Sequence, residues 1–188
     1  MAAETHRPVL SMQGIAVSLL AFLALIVPAR SWAQHSEAEV KAAFIFSIAR
    51  YAEWSPDTLP DGAPLSLCVL GPGESQRALV DALGGLRGKQ LRGHVLDVRA
   101  GQRFAPMKPC HITIMLPGAS EQRSVLQDER DTLTISDGDD FIEKGGMVGL
   151  VMVDNRVQIE VNLESTRRGR IQLSAQLLKL AHKVKGVS

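Results

Sequence analysis

Apolar residues recur along the chain with a helical period in some segments and a strand period in others. From Glu37 to Trp54 they return every three or four positions, which predicts an amphipathic helix. Ser36 followed by Glu39 is typical of a capping box at the start of this helix, and Pro56 favours its termination. A second helix is expected to be capped by Ser75.

Short apolar runs between the helical segments predict strands. Residues 65–70, 94–99 and 110–116 form three such runs, which alternate with helical segments along the chain. Strands that alternate with helices favour a parallel sheet with helices packed on its faces. We therefore expect a mainly parallel sheet at the centre of the domain.

The last part of the chain has a different pattern. Residues 147–153 predict a buried strand, and residues 156–161 alternate strictly between apolar and polar, which predicts a half-buried antiparallel strand. The intervening Asp154–Asn155 favours a tight hairpin turn. Ser174 is expected to cap a final helix, whose inward residues would be Leu177, Leu178, Leu180, Ala181 and Val184. The predicted fold class is α/β: a single domain with a mixed, mainly parallel sheet, helices on its faces, and a C-terminal hairpin plus helix.

The N-terminal residues have the order of a secretory signal. Arg7 is followed by an uncharged apolar run from Ile15 to Val27, and Ser31-Trp32-Ala33 places small residues at the positions a signal peptidase requires. As a helix the run would span about 20 Å, short of the ~30 Å hydrocarbon core, which favours a cleaved signal over a permanent anchor. We expect residues 1–33 to be a signal peptide and residues 34–188 to form the exported domain.

Composition and charge exclude several classes of protein. The chain has 188 residues, of which 45% are hydrophobic and 22% charged, with a formal net charge of +1. Without residues 1–33 it is formally neutral, because Arg7, Arg30 and Glu4 are removed. This balance lacks the basic footprint of a nucleic-acid-binding protein and the composition of a disordered one.

Both cysteines lie in the exported part of the chain. Cys68 and Cys110 each belong to an apolar run that is expected to be a strand. An oxidising compartment favours one disulfide between them. Two buried free thiols are the alternative, whereas a metal pair lacks a third ligand at a diagnostic spacing.

Polar clusters in the sequence do not assemble an active site. The turn Gly71–Ser75 lacks the spacing of a dinucleotide-binding or P-loop motif, and the acidic residues from Asp137 to Asp140 lack the ligand pattern of a calcium loop. Adjacent residues on a strand point to opposite faces, so Cys110 and His111 cannot form a catalytic dyad. We therefore expect no catalytic residues, no metal site and no cofactor.

Three arginines near the C-terminus form the densest cluster of positive charge. Arg167, Arg168 and Arg170 could contact an acidic partner, or they could form an ordinary solvated helix end. They are the candidate partner-binding residues. Asn162, directly after the alternating strand, is expected to cap the helical turn that carries them.

Eight short segments, in their order along the chain, resemble the YfiR-like family of periplasmic proteins. No single segment is diagnostic, but together they extend over about residues 37–184. They are Lys41-Ala42-Ala43-Phe44, Tyr51-Ala52-Glu53-Trp54, Cys68-Val69-Leu70-Gly71, Cys110-His111-Ile112, Leu133-Thr134-Ile135-Ser136-Asp137, Gly145-Gly146-Met147-Val148, Glu160-Val161-Asn162 and Leu177-Leu178-Lys179-Leu180-Ala181.

The resemblance implies a periplasmic regulator that acts through contact rather than catalysis. Such a protein would bind the periplasmic sensor domain of an inner-membrane, YfiN-like diguanylate cyclase and repress it, which lowers cyclic di-GMP output. An outer-membrane, YfiB-like lipoprotein would sequester the repressor, and a homodimer is a further candidate assembly. The alternative is a periplasmic small-ligand sensor associated with a histidine kinase or a transporter.

The resemblance also bears on the cysteines. Cys68 and Cys110 fall where the family carries cysteines, which supports their pairing. A second pair found in some relatives has no counterpart between Asp131 and Asn162. Redox control through such a second bridge is therefore not expected in this chain.

Overall fold

The computed structural model describes residues 36–186, so the expected signal peptide, residues 1–33, lies outside the described residues. Sixteen helices and strands follow one another along these residues. They are α1 (Glu37–Arg50), β1 (Ala52–Glu53), β2 (Leu65–Leu70), α2 (Gly73–Gly84), β3 (Gln90–Leu91), β4 (His94–Gly101), a 3-10 helix (Ala105–Met107), β5 (Ile112–Met115), α3 (Gln122–Asp128), β6 (Leu133–Ser136), β7 (Val148–Val153), β8 (Arg156–Asn162), α4 (Leu163–Arg168), β9 (Gln172–Leu173), α5 (Ala175–Leu180) and β10 (Lys183–Lys185).

Eight of the strands form one sheet in the order β10-β8-β7-β6-β5-β2-β4-β3. The pairs β7–β8 and β3–β4 are antiparallel, and every other pair in this sheet is parallel. The expected mixed, mainly parallel α/β sheet is therefore confirmed. A separate two-stranded sheet pairs β1 with β9.

One face of the large sheet is covered by helices. Leu67, Ile114 and Ile135, from the three central strands, belong to the same buried cluster as Ile48 of α1 and Leu83 of α2. The capping box predicted for α1 is present, because Ser36 and Glu39 exchange hydrogen bonds. These helices cover one of the two faces that a parallel sheet must bury.

The other face is covered by loop structure and the short helix α3. Cys68 and Met115 belong to a second buried cluster. Their neighbours in sequence belong to the cluster on the helical face, because adjacent residues of a strand point to opposite faces. The remaining buried members of this cluster are Leu70, Phe104, Met107, Cys110, Val125 and Phe141. The sulfurs of Cys68 and Cys110 are joined in a disulfide, with the Cα atoms 5.8 Å apart. The disulfide thus ties the segment before β5 to the central strand β2.

The N-terminal helix is shorter than the sequence predicts. The expected helix from Glu37 to Trp54 ends at Arg50, and Ala52–Glu53 pair instead with Gln172–Leu173. The carbonyl oxygen of Tyr51 accepts a hydrogen bond from the N–H of Ser174 (2.9 Å). A tertiary partner more than 100 positions away in the sequence therefore overrides the local helical pattern.

The second helix also begins earlier than expected. Ser75 does not cap it, because α2 starts at Gly73 and only Gly71 and Pro72 separate it from β2. Gly71 has a φ of +153°, and a Cβ atom there would lie 2.7 Å from the Cβ of Leu116. The close approach of the chain to Leu116 requires glycine at this turn.

The C-terminal region is partly as predicted. The β7–β8 hairpin is confirmed, and Asp154 and Asn155 both have positive φ, as a type I′ turn requires. Ser174 caps α5 through the N–H of Leu177, but this helix ends at Leu180. The placement of Val184 on the helix is wrong, because Val184 lies in β10.

We expect the disulfide to contribute strongly to stability. Cys68 and Cys110 are 42 positions apart, so removing the bond should lower the free energy of unfolding by up to about 4 kcal/mol in the chain-entropy model. Cys68→Ser, Cys110→Ser and the double variant should show equal losses in urea unfolding followed by Trp54 fluorescence. Two titratable thiols in the unreduced, unfolded wild-type protein would contradict the bond.

Candidate functional site

Helix α4, which carries two of the candidate arginines, is fixed at its start by one buried asparagine. The Asn162 side chain accepts a hydrogen bond from the N–H of Ser165 (3.0 Å), so the predicted cap is confirmed. Its amide also donates to the carbonyl oxygen of Ile142 (2.8 Å). Gly169 follows α4, and a Cβ atom there would lie 2.2 Å from Met147 Cε. The chain can therefore pack closely against Met147 before it turns.

The three candidate arginines, two on α4 and one after it, have different partners. Arg167 Nη1 lies 3.5 Å from the carbonyl oxygen of Gly186. Arg170, whose φ is +55°, donates to both carboxylate oxygens of Asp131 at 2.6 and 2.8 Å. Arg168 donates to Ser165 Oγ (2.9 Å). Proximity in sequence suggested one cluster, but the three side chains are separated, and Arg168 lines a cavity.

That cavity has a volume of about 320 Å³ and lies between α3, the loop after it, the loop before β7, and α4. Arg130, Lys144 and Arg168 line it, and Thr134 and Met147 contribute buried parts of its wall. We call this cavity the cationic cup.

The charge of the cationic cup is only weakly compensated. Glu129 also lines it, but Lys108 Nζ lies 2.5 Å from this carboxylate. Arg168 has a distant carboxylate neighbour in Glu164 (3.7 Å). Within residues 36–186, Arg130 and Lys144 have no carboxylate at ion-pair distance. Sequence reasoning missed the cup because its cations are far apart in the chain.

Cys110 and His111 are adjacent in sequence and both buried, but they do not form a catalytic pair. The sulfur of Cys110 is bonded to Cys68. His111 Nδ1 accepts a hydrogen bond from the N–H of Ser66 (3.0 Å), so the proton of the neutral ring lies on Nε2, 3.2 Å from the carbonyl oxygen of Thr58. The imidazole thus serves as a buried link between β2 and the loop that follows β1.

The pKa of His111 is lowered, chiefly because burial penalises the charged ring. The hydrogen bond to the Thr58 carbonyl raises this pKa, but the nearby charges of His94 and Arg99 lower it further. The neutral ring is therefore favoured in the folded protein.

Asp137, the first acidic residue after β6, serves as a structural anchor. Asp137 pairs with Lys41 of α1, and Lys41 also lies 2.5 Å from Glu37. Burial lowers the pKa of Lys41, but the hydrogen bonds to Asp137 and Glu37 outweigh it and leave that pKa raised. Within the described part of the chain, no three His, Cys, Asp or Glu side chains are grouped to hold a metal ion.

Glu143 forms a second anchor, to the C-terminal strand. Its carboxylate binds Lys183 Nζ (2.9 Å) and Lys185 Nζ (2.6 Å), and these hydrogen bonds lower the pKa of Glu143 to about 2. Because the Glu143 side chain is exposed to solvent, this contact positions β10 without implying a large contribution to stability.

A second cavity, of about 410 Å³, lies between α1 and β8. It is lined by Phe44, Val157, Ile159 and Leu180, with Arg156 among its polar residues. We call it the apolar groove. Leu180 was expected to face inward, but its side chain is 65% exposed because α5 ends at this residue.

A family model described as YfiR/HmsC-like matches residues 38–182. The chain belongs to this family. Membership implies a periplasmic regulator in cyclic di-GMP signalling. No helix in residues 36–186 is long and apolar enough to cross a membrane.

Two solved structures resemble the fold of this YfiR/HmsC-like protein. A conserved domain protein from Vibrio cholerae O1 biovar eltor has a TM-score of 0.53 and 13% identity, over 79% of this chain and 60% of that one. An ABC domain in complex with L-Trp from Streptococcus pneumonia has a TM-score of 0.50 and 10% identity, over 78% of this chain and 60% of that one. The chain thus spans about 60% of the length of either structure, and the likeness shows the fold alone. No curated protein matches this chain significantly.

We expect His111 to make stability depend on pH. The unfolded ring, with a pKa near 6.5, takes up a proton before the folded ring does, so the free energy of unfolding falls as the pH decreases below that value. The slope for one proton is at most about 1.4 kcal/mol per pH unit. His111→Asn should reduce this slope in urea unfolding between pH 7.5 and 5.5. His182→Asn, which replaces an exposed histidine, is the matched control. Equal slopes in the wild-type protein and both variants would contradict the assignment of this pH dependence to His111.

Proposed function

We propose that this protein is a periplasmic repressor that binds the periplasmic sensor domain of an inner-membrane, YfiN-like diguanylate cyclase and lowers its cyclic di-GMP output. The observation that carries the proposal is the YfiR/HmsC-like family match over residues 38–182. Residues 1–33 would direct export and then be cleaved, and an outer-membrane, YfiB-like lipoprotein would compete for the repressor.

The arrangement of polar groups supports action by contact rather than catalysis. The sulfur of Cys110 is bonded to Cys68, and both ring nitrogens of His111 have backbone partners. The two cysteines and His111 are thereby committed to the structure of the domain. We expect function to reside in surfaces that recognise another molecule.

A repressor of this kind works by differential affinity. It must bind the inactive state of the cyclase more tightly than the active state. A preference of about 100-fold, or roughly 2.7 kcal/mol, shifts a cyclase balanced between the two states to about 99% inactive. Repression therefore requires no chemistry from the regulator.

Deleting the gene for this protein should raise cellular cyclic di-GMP, and only in cells that also contain the partner cyclase. The reason is that repression acts entirely through that enzyme. Cyclic di-GMP is measured in four strains: wild type, each single deletion and the double deletion. Unchanged cyclic di-GMP in cells shown to contain both proteins, with the cyclase neither sequestered nor induced, would contradict the proposal.

The cationic cup favours a second candidate function, that of a small-ligand sensor. A cavity of about 320 Å³ with Arg130, Lys144 and Arg168 at its rim and Met147 in its wall suits a small organic anion. Such a ligand would stabilise the protein by binding only the folded state.

Citrate is a suitable probe of the cationic cup. A concentration 100-fold above its dissociation constant should add about 2.7 kcal/mol to the free energy of unfolding. Thermal shift is compared with sodium chloride at equal ionic strength. Lys144→Ser should abolish the shift, and Lys89→Ser, which replaces an exposed lysine elsewhere, should preserve it. An equal shift in both variants would exclude the cup as the site.

A further inference from the structure

The apolar groove has unusually exposed apolar side chains beside it. Among the described residues, three large hydrophobic side chains are exposed: Leu180 (65%), Met152 (62%) and Val95 (41%). Leu180 lines the groove. Met152 lies opposite Val157 in the β7–β8 ladder, and directly opposite residues share one face of a sheet. Leu180 therefore belongs to the groove, and Met152 lies beside it on the same face of the sheet.

The edge of the sheet beside this groove is open. The pairing of β10 with β8 begins at Glu160, and the N–H of His182 donates to the carbonyl oxygen of Ile159 (2.7 Å). The backbone N–H and C=O groups of alternate residues point to the same side of a strand. Because the carbonyl oxygen of Ile159 points to the outer edge of β8, the backbone groups of Val157 point to this edge as well. No other strand in residues 36–186 pairs with β8 there. An open edge of this kind is a template for an added strand.

The charges beside the groove are positive. Arg156 lines it, and Lys179 precedes Leu180 on α5; both side chains are exposed. Within residues 36–186, neither has a carboxylate at ion-pair distance, in contrast to Lys183 and Lys185, which share Glu143. A second copy of this chain would bring like charges together at the groove, which disfavours self-association there. An acidic partner is favoured instead.

We propose that the apolar groove and the open edge of β8 form the docking surface for the partner protein. The occupant is an extended, mainly apolar segment with acidic residues. It adds to β8 beside Val157, inserts apolar side chains between Phe44 and Leu180, and places carboxylates near Arg156 and Lys179. This inference rests on the proposed function, which makes the occupant a segment of the periplasmic domain of the cyclase.

The test measures affinity between the mature protein and the purified periplasmic domain of the cyclase by isothermal titration calorimetry. Leu180→Glu introduces an acid into the groove, and Arg156→Glu reverses a charge at its rim. Each should weaken binding by more than about tenfold. Val95→Glu makes the same apolar-to-acidic change at an exposed position outside the groove and should stay within about twofold. Unfolding curves of all variants should match wild type, because the substituted side chains are exposed.

The outcomes separate this inference from the proposed function. If the wild-type protein binds the cyclase domain and the Leu180→Glu and Arg156→Glu variants bind it with the same affinity, the proposed docking surface is wrong. The proposed repressor function is not contradicted by that result. Absence of wild-type binding would overturn both. The oligomeric states of wild type and Leu180→Glu are also compared by sedimentation. If the wild-type protein forms a dimer and the variant does not, the groove binds a second copy of this chain, and the inference is overturned.

Discussion

Complete burial of β2 is the constraint on which the rest of this structure depends. Every side chain from Leu65 to Leu70 is buried, and the strand pairs in parallel with β4 on one side and β5 on the other. Both faces must therefore be covered. Helices α1 and α2 cover one face. The other has only α3 and loop structure, which the Cys68–Cys110 disulfide attaches to β2.

The sequence predicted those parts of the fold that local signals determine. The capping box at Ser36, the cap at Asn162 and the turn at Asp154–Asn155 all depend on residues within a few positions of one another. The end of α1 was mispredicted because Ala52 pairs with Leu173, more than 100 positions later in the sequence. Val184 was misplaced because its strand partner, Val161, is separated from it by the helices α4 and α5. Periodicity carries no information about such pairings.

The candidate sites were harder to predict than the fold, for a related reason. The sequence grouped Arg167, Arg168 and Arg170 by adjacency, but each of the three side chains has a different partner. The cationic cup and the apolar groove each bring together residues from several elements. They also differ in physical character. Binding in the cup would weaken with added salt, whereas burial of Leu180 in the groove would be far less sensitive to it.

The edge-on contact between Trp54 and His111 gives this domain an internal optical reporter. The two ring centroids are 6.3 Å apart, with an interplanar angle of 81°. A protonated imidazole quenches indole emission much more strongly than a neutral one does. Since residues 36–186 contain no other tryptophan, the indole emission of the folded domain comes from a single site in contact with this buried ring. The protonation state of that ring can thus be followed in the native protein without an attached dye.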